Sequence, residues 1–462
     1  MGEQAVGLLS ASELVRKLRD REISSRELLS HFGERRAAYN DALNAIVTVD
    51  DEAAQTVAAA ADEQLAGGDD DLPPLLGLPM TIKDAIATKG MRSTGGAVEL
   101  ADHVPDADAQ VVSRIRQAGG VIFGKTNLPR WSADVQSYNE VFGTTNNPWD
   151  LTCGPGGSSG GAAAAVATGL TGAEIGTDIG GSIRLPSSHC GVYGHKPSFG
   201  VIPTYGYLDS VEYHRNVADV NVFGPIARSI DDLDLLVDLL AGPNPDDAPG
   251  WRLELPPPRA TELADFRVAA WLDDSFCPVD ASITAVLERA VGALENAGAR
   301  IDHDVRPALE PLTASVDGSN LIGAATDISG EQEGMSHLMW DTMHRQRGQL
   351  RQRWTEFFGN VDVLLRPVSP TLAFQHVHSP QGSNWAHEVL SELDDMPYRH
   401  LLRWNTLIGS AYLPVTVPPV GRSPGGLPVG IQVVAPFLHD RTALAFARCI
   451  SEVIGGYEAP PM

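Results

Sequence analysis

From Leu75 to about Gly242, short apolar runs alternate with alanine-rich segments, and this alternation limits what the chain can fold into more than any other feature. Leu78-Pro79-Met80-Thr81-Ile82 and Gly120-Val121-Ile122-Phe123 have the length and composition of buried strands, whereas Asp108 to Ala118 and Gly161 to Gly169 have those of helices. Strands alternating with helices predict an α/β protein built on a covered sheet. Proline-rich stretches at Pro243–Pro249 and Pro256–Pro258 interrupt the pattern. It resumes with a strand at Phe266–Trp271, a helix near Ser282–Ala297, strands at Leu413–Val417 and Val429–Val434, and a last helix from Arg441. Strands on both sides of the break argue for one large sheet. No internal repeat or low-complexity segment is present.

The first 65 or so residues read as helices. Ser10-Ala11-Ser12-Glu13 has the form of a capping box, followed by Leu14, Val15 and Leu18 at helical spacing. A second start at Ser24-Ser25-Arg26-Glu27 leads into Leu28, Leu29 and Phe32, and a third helix runs from about Asp50 to Ala66. After Gly67-Gly68 comes the acidic turn Asp69-Asp70-Asp71-Leu72-Pro73-Pro74. Residues 1–68 are therefore read as a helical region packed on a core domain spanning 69–462.

Charge and cysteine usage narrow the function classes. The chain has 462 residues, with 34 Lys and Arg against 59 Asp and Glu, a formal charge of −25. Nucleic acids and anionic membranes require clustered cations, so neither is expected as a partner. Cys153, Cys190, Cys277 and Cys449 lie far apart with no C-x-x-C spacing, which predicts neither a zinc site nor a disulfide framework. The N-terminus meets charge too soon for a signal-peptide core, and the uncharged stretch Cys153–Ala173 is too rich in Gly and Ser to span a membrane. A cytoplasmic, thiol-reduced enzyme acting on neutral or weakly charged small molecules is the expectation.

Two local patterns fit known expressions. Gly119-Gly120-Val121-Ile122-Phe123-Gly124-Lys125-Thr126 spells a P-loop, but its strand lies between the glycines and Pro129 follows too closely for a helix to open at the lysine. Gly156-Gly157-Ser158-Ser159-Gly160 spells a nucleophile elbow. The helix it needs is available, but Pro148, Gly154 and Pro155 make the preceding segment a loop. A Ser-His-Asp esterase using Ser158 or Ser159 stays open as a minority reading.

A stronger constellation joins three separated segments. Lys83 closes the first predicted strand; Gly156-Gly157-Ser158-Ser159-Gly160-Gly161 places Ser158 75 residues later; Gly176-Thr177-Asp178-Ile179-Gly180-Gly181-Ser182-Ile183-Arg184 places Ser182 a further 24 on. These strings resemble the amidase signature family. So do Gly124–Pro129, Phe142–Asp150, Gly194–Ser198, Gly426–Gln432 and Asp440-Arg441, and the likeness covers nearly the whole chain. The resemblance implies a single α/β/α domain, a large mixed sheet flanked by helices and capped by the N-terminal helices. It implies Ser182 as nucleophile, Ser158 as a bridging serine after a cis peptide bond from Gly157, and Lys83 as general base. Backbone N–H groups of Ile179, Gly180, Gly181 and Ser182 would form the oxyanion hole, with Gly157, Thr177, Asp178 and Arg184 as supporting residues. No metal or cofactor is implied.

The chemistry suits those roles. A serine hydroxyl needs a neighbouring base, and lysine serves only when neutral, which burial favours. Glycines before Ser182 let successive N–H groups converge on one oxygen. The expected activity is cleavage of carboxamide C–N bonds, with aryl esters and urethane-type carbamates as further substrates, in a stand-alone monomer or homodimer. The alternative is the amidase-like subunit of a glutamine-dependent amidotransferase. Elsewhere, Met335, Met339 and Met343 recur at helical spacing beside Trp340 and predict a core stripe, with a pocket wall as the alternative. His376, His378 and His387 read as loop histidines, and Leu312–Met396 (a variable region of about 312–396) departs most from the family pattern.

Overall fold

The computed structural model describes residues 3–67, 71–209, 217–326, 335–378, 388–391 and 394–462. Twelve strands form the main sheet: β1 (Ile46–Val49), β2 (Pro79–Lys83), β3 (Val121–Thr126), β4 (Glu174–Asp178), β5 (Tyr193–Lys196), β6 (Val222–Ala227), β7 (Arg267–Ala270), β8 (Arg300–Asp302), β9 (Val363–Pro367), β10 (Val415–Val417), β11 (Pro419–Arg422) and β12 (Pro428–Val434). Their order is β1-β3-β2-β4-β6-β5-β10-β12-β9-β7-β8, with β11 paired to β12. β2 runs parallel to β3 and β4, and β9 parallel to β7, while β4, β5, β6, β10 and β12 pair antiparallel. The sheet is mixed and open, with helices packed against it, as expected. β2 and β4, side by side as the third and fourth strands of that order, end at Lys83 and Asp178.

Local chemistry explains the helices nearest the site. Ser10 and Ser24 each cap a helix by accepting from the amide three residues on, and each donates its own backbone N–H to the carboxylate there, Glu13 and Glu27. The helices Ala11–Arg19 and Ser25–Leu43 follow, and Asp51–Gly67 matches the third expected helix. The region is tied to the core by Asp232, which accepts from Ala11 and Ser12 amides, and by Arg35, which donates to Thr168 and Gly169 carbonyls. The boundary at residues 68 and 69 falls outside the described residues. Helix Gly160–Ala167 is buried at all eight positions, because its glycines and alanines let backbone pack on backbone. At Gly161 an ideal Cβ would sit 2.4 Å from the Asn127 nitrogen and 2.8 Å from the Ala45 carbonyl oxygen.

Several features differ from expectation. β1 lies inside the region read as helical; four residues between two helices are too few to show a strand period. β9 is wholly buried although Arg366 and Pro367 interrupt its apolar run. The methionine stripe is not a core stripe. Helix His337–Phe357 starts after its cap Ser336, so Met335 precedes it; Met339 is 53% exposed and only Met343 is buried. That helix turns its Met343 side toward Pro311–Thr326 and the rest toward solvent, which a spacing rule does not reveal. β3 runs straight through Lys125, whose amine is buried on the Ile86 carbonyl and 2.8 Å from Thr88 Oγ1, so no phosphate loop forms. His376 and His378 lie on a loop, and His387 falls outside the described residues.

These contacts predict opposite outcomes for two glycine substitutions. Gly161→Ala forces a methyl into backbone and should destabilise by about 1–3 kcal/mol. Gly33→Ala, in helix Ser25–Leu43 with nothing within 4 Å of the new methyl, should stabilise by about 0.5–1 kcal/mol. Thermal melts of the two variants check both signs.

Candidate active site

Three separate segments of the chain meet at the end of β2. Lys83 is fully buried there, and its Nζ donates to Ser158 Oγ at 2.6 Å and to Thr177 Oγ1 at 2.7 Å. Thr177 reaches it from neighbouring β4. Ser158 arrives on the irregular loop before helix Gly160–Ala167, after a cis Gly157–Ser158 peptide. That loop can approach because its glycines carry no side chains: an ideal Cβ on Gly157 would lie 2.7 Å from Gln136 N. Ser137, which sequence reasoning missed, fastens it by donating to the Gly156 carbonyl and accepting from Gly160 N–H, each at 3.0 Å.

Ser182 sits on the turn that follows β4 and is 8% exposed. Ser159 couples this turn to the glycine-rich loop: its amide donates to the Ser182 carbonyl at 3.1 Å and its hydroxyl to the Thr177 carbonyl at 3.2 Å. Asp178 shapes the turn. Its carboxylate accepts from the amides of Gly181 (2.9 Å), Ile183 (3.0 Å) and Arg184 (3.3 Å), and from Arg184 Nε and Nη2. Gly181 takes φ +134°, a conformation suited to glycine, and an ideal Cβ there would lie 3.0 Å from Asn405 Cγ. The expected oxyanion donors are thereby separated. Gly181 N–H is committed to Asp178, whereas the amides of Ile179, Gly180 and Ser182 meet no acceptor among the described residues.

Burial sets the protonation of the centre. It drives the Lys83 ammonium well below its ordinary pKa, against the opposing pull of Asp178 and Glu174. Burial also pushes the Glu174 carboxyl up to about 8, with Thr81, Lys125 and Thr126 opposing, so near neutral pH it withholds most of its charge from Lys83. For Asp178 burial acts upward, but the charge and hydrogen bonds of Arg184 and the charge of Lys196 hold the carboxyl below its usual range. The site thus pairs an amine biased toward neutrality with two serines and a turn of converging amides. Such a set can carry nucleophilic acyl transfer. Ser158 is bonded to a lysine rather than to a histidine, which is not the arrangement a Ser-His-Asp elbow requires. No group of three His, Cys, Asp or Glu that could hold a metal ion occurs among the described residues.

The fold therefore brings Lys83, Ser158, Ser182, Thr177, Asp178 and Arg184, all singled out in the sequence, into one place. Asn405 and Ser137 carried no signal, because their partners are distant in the chain and their own surroundings fit no motif.

Comparison with known proteins agrees with this geometry. The family model described as Amidase matches residues 27–326 and 327–444. An acylamidase of Rhodococcus erythropolis is 32% identical over 473 residues, covering 96% of this chain and 94% of that protein. A glutamyl-tRNA(Gln) amidotransferase subunit of Azoarcus sp. (strain BH72) is 33% identical over 493 residues, covering 95% and 96%. Among solved structures, a bacterial aryl acylamidase of the amidase signature family superposes with a TM-score of 0.83 at 23% identity, covering 97% of this chain and 96% of that one. The fold, the matched residues and the relatives agree: this chain belongs to the amidase signature family of C–N bond hydrolases.

Proposed function

We propose that the chain is a stand-alone hydrolase of carboxamides that also accepts aryl esters and urethane-type carbamates, working through an acyl-enzyme on Ser182. The observation that carries this reading is the 2.6 Å contact of a buried, neutral-leaning Lys83 amine with Ser158, on a loop bonded directly to Ser182. Neutral Lys83 takes the Ser158 proton as Ser158 takes that of Ser182. Ser182 Oγ bonds to the carbonyl carbon, and the carbonyl electron pair moves to its oxygen. The N–H groups of Ile179, Gly180 and Ser182 hold that charge. Collapse breaks the C–N bond, and the proton returns through Ser158 to the departing nitrogen. Water then attacks the acyl carbon, giving its proton to the same relay; collapse breaks the bond from that carbon to Ser182 Oγ, the relay returns the proton to Ser182, and the acid leaves.

The likeness to an acylamidase supports a free-standing enzyme, and we read it as a monomer or homodimer. A second reading, in which the chain delivers ammonia to a partner, is favoured by the comparable likeness to the amidotransferase relative. The net charge of −25 counts against contact with tRNA. Turnover of aryl amides by the purified chain alone supports the first reading; activity only on glutamine, and only with a co-purified partner, supports the second.

A fluorophosphonate should add mass to the wild type at Ser182 and nothing to Ser182→Ala. Ser158→Ala should still label, about 10²–10⁴-fold more slowly, having lost its acid–base relay. Peptide mapping that finds label on Ser158 or Ser159 in the Ser182 variant would sink the assignment.

The pH profile follows from the lysine. Because the working form is the neutral amine, the rate should rise with pH through the lowered Lys83 pKa and level off before the free-lysine range. Thr177→Val removes an acceptor that favours the ammonium, so its rising limb should move to lower pH. A rate that peaks in mildly acidic buffer and falls above it would point to a different base.

A further inference from the structure

Beside the glycine-rich loop lies a second buried polar cluster that the acyl-transfer steps leave unused. Its centre is the Asp134 carboxylate. It accepts from the Tyr398 hydroxyl, from the Tyr138 hydroxyl at 3.3 Å, and from the amides of Val135 at 2.6 Å and Gln136 at 3.3 Å. Tyr398 in turn accepts from Gln136 Nε2 at 3.0 Å, and Gln136 brackets Val377 by donating to its carbonyl (2.7 Å) and accepting from its amide (2.9 Å). Asp134, Gln136 and Tyr398 are all buried.

The two ends of this cluster touch the two halves of the site. At one end, the backbone of Val135 and Gln136 lies directly against Gly157, and the next residue, Ser137, fastens Gly156 and Gly160. At the other, Tyr398 opens the short turn Tyr398–Leu402, and Leu402 lies against Gly180, where an ideal Cβ would be 3.3 Å from Leu402 Cδ1. One segment supports the peptide that carries Ser158; the other supports the turn that carries the oxyanion donors. The two meet at a single carboxylate.

We infer that Asp134 is a positioning residue for acyl transfer: by holding the Tyr398 and Tyr138 hydroxyls, its ionised carboxylate keeps the Ser158 loop and the Gly180 turn in register. The inference rests on the acyl-enzyme reading. A carboxylate only accepts, and all four groups facing it are donors. A protonated Asp134 would place a fifth hydrogen among them and lose a tyrosine contact. Burial pushes this carboxyl up to about 6, opposed by its hydroxyl and amide donors, so that loss falls on the acid side of the working range. The other titratable groups nearby do not replace it. The Tyr398 hydroxyl is held well above its ordinary value by burial and by Asp134 itself. His378, stacked on Tyr138 at 4.0 Å, is pushed by burial down to about 4, and burial also lowers His376 behind it.

The test follows the rate of Ser182 labelling by a fluorophosphonate from pH 5 to 9, with thermal melts, in wild type, Asp134→Asn and Tyr398→Phe. The wild-type rate should fall through a second break near pH 6 beneath the Lys83 limb. Asp134→Asn should label about 10–100-fold more slowly at pH 8, the scale of a misplaced catalytic group, and lack that break. Tyr398→Phe should be slowed but keep the break, since its carboxylate remains. A merely structural role would lower melting temperatures without removing a break. The inference is overturned if Asp134→Asn keeps the wild-type break or rate. Should that variant not fold, Tyr398→Phe decides: a rate equal to wild type overturns the inference. A wild type unlabelled at Ser182 overturns the acyl-enzyme reading instead, and this inference with it.

Discussion

An amine sealed from water at the end of an interior strand of the sheet sets the terms for everything around it. Moving an ammonium out of water costs several kcal/mol or shifts its pKa until it is neutral, and Lys83 is shifted well down. Its N–H groups still need acceptors, and the two supplied are hydroxyls, Ser158 and Thr177, rather than carboxylates. A carboxylate at either place would hold the proton on the lysine and bar it from the proposed role of base. The choice of hydroxyls, and the glycines that let Ser158 come within 2.6 Å, follow from this one burial.

The same logic explains why the charged pair beneath the site is closed on itself. Asp178 and Arg184 are both fully buried and bonded through two nitrogens, and the remaining reach of Arg184 goes to the Asn405 carbonyl and Gln432 Oε1. A pair of this kind adds little net stability, yet losing one partner costs about 3–5 kcal/mol. What it supplies here is shape. Three amides of the Ser182 turn bend toward one carboxylate, so the turn has a single conformation. That commitment also withdraws Gly181 from the amides proposed as oxyanion donors, a difference among adjacent amides that no motif announces.

How much of this was legible in the chain depends on the range of each interaction. Capping boxes at Ser10 and Ser24 are local, and they formed as read. The strand ending in Lys83, the alanine-rich helix and the loop around Ser182 were visible because each has its own composition. β1 and β9 were not, one being too short for a period and the other broken by Arg366 and Pro367. The methionine repeat misled for a related reason: spacing says which side chains share a face but not what the face meets. Asp134 and Tyr398 lie 264 residues apart, and an aspartate in an irregular segment gives no local sign of a hydroxyl waiting elsewhere.

The walls beside the oxyanion donors come from late in the chain, and their chemistry bears on substrate choice. At Gly180 an ideal Cβ would lie 3.3 Å from Leu402 Cδ1 and 3.6 Å from Ile322 Cδ1, so the donors are flanked by aliphatic carbon. Apolar walls there exclude water and would strengthen the dipoles of the amides proposed to hold an oxyanion. They also disfavour an acyl group carrying its own charge, which would lose hydration without gaining a partner. Under the proposed acyl-transfer role, the burial of Lys83 and the aliphatic carbon beside Gly180 would place the same demand on a substrate: an acyl group whose reacting carbonyl is its most polar part.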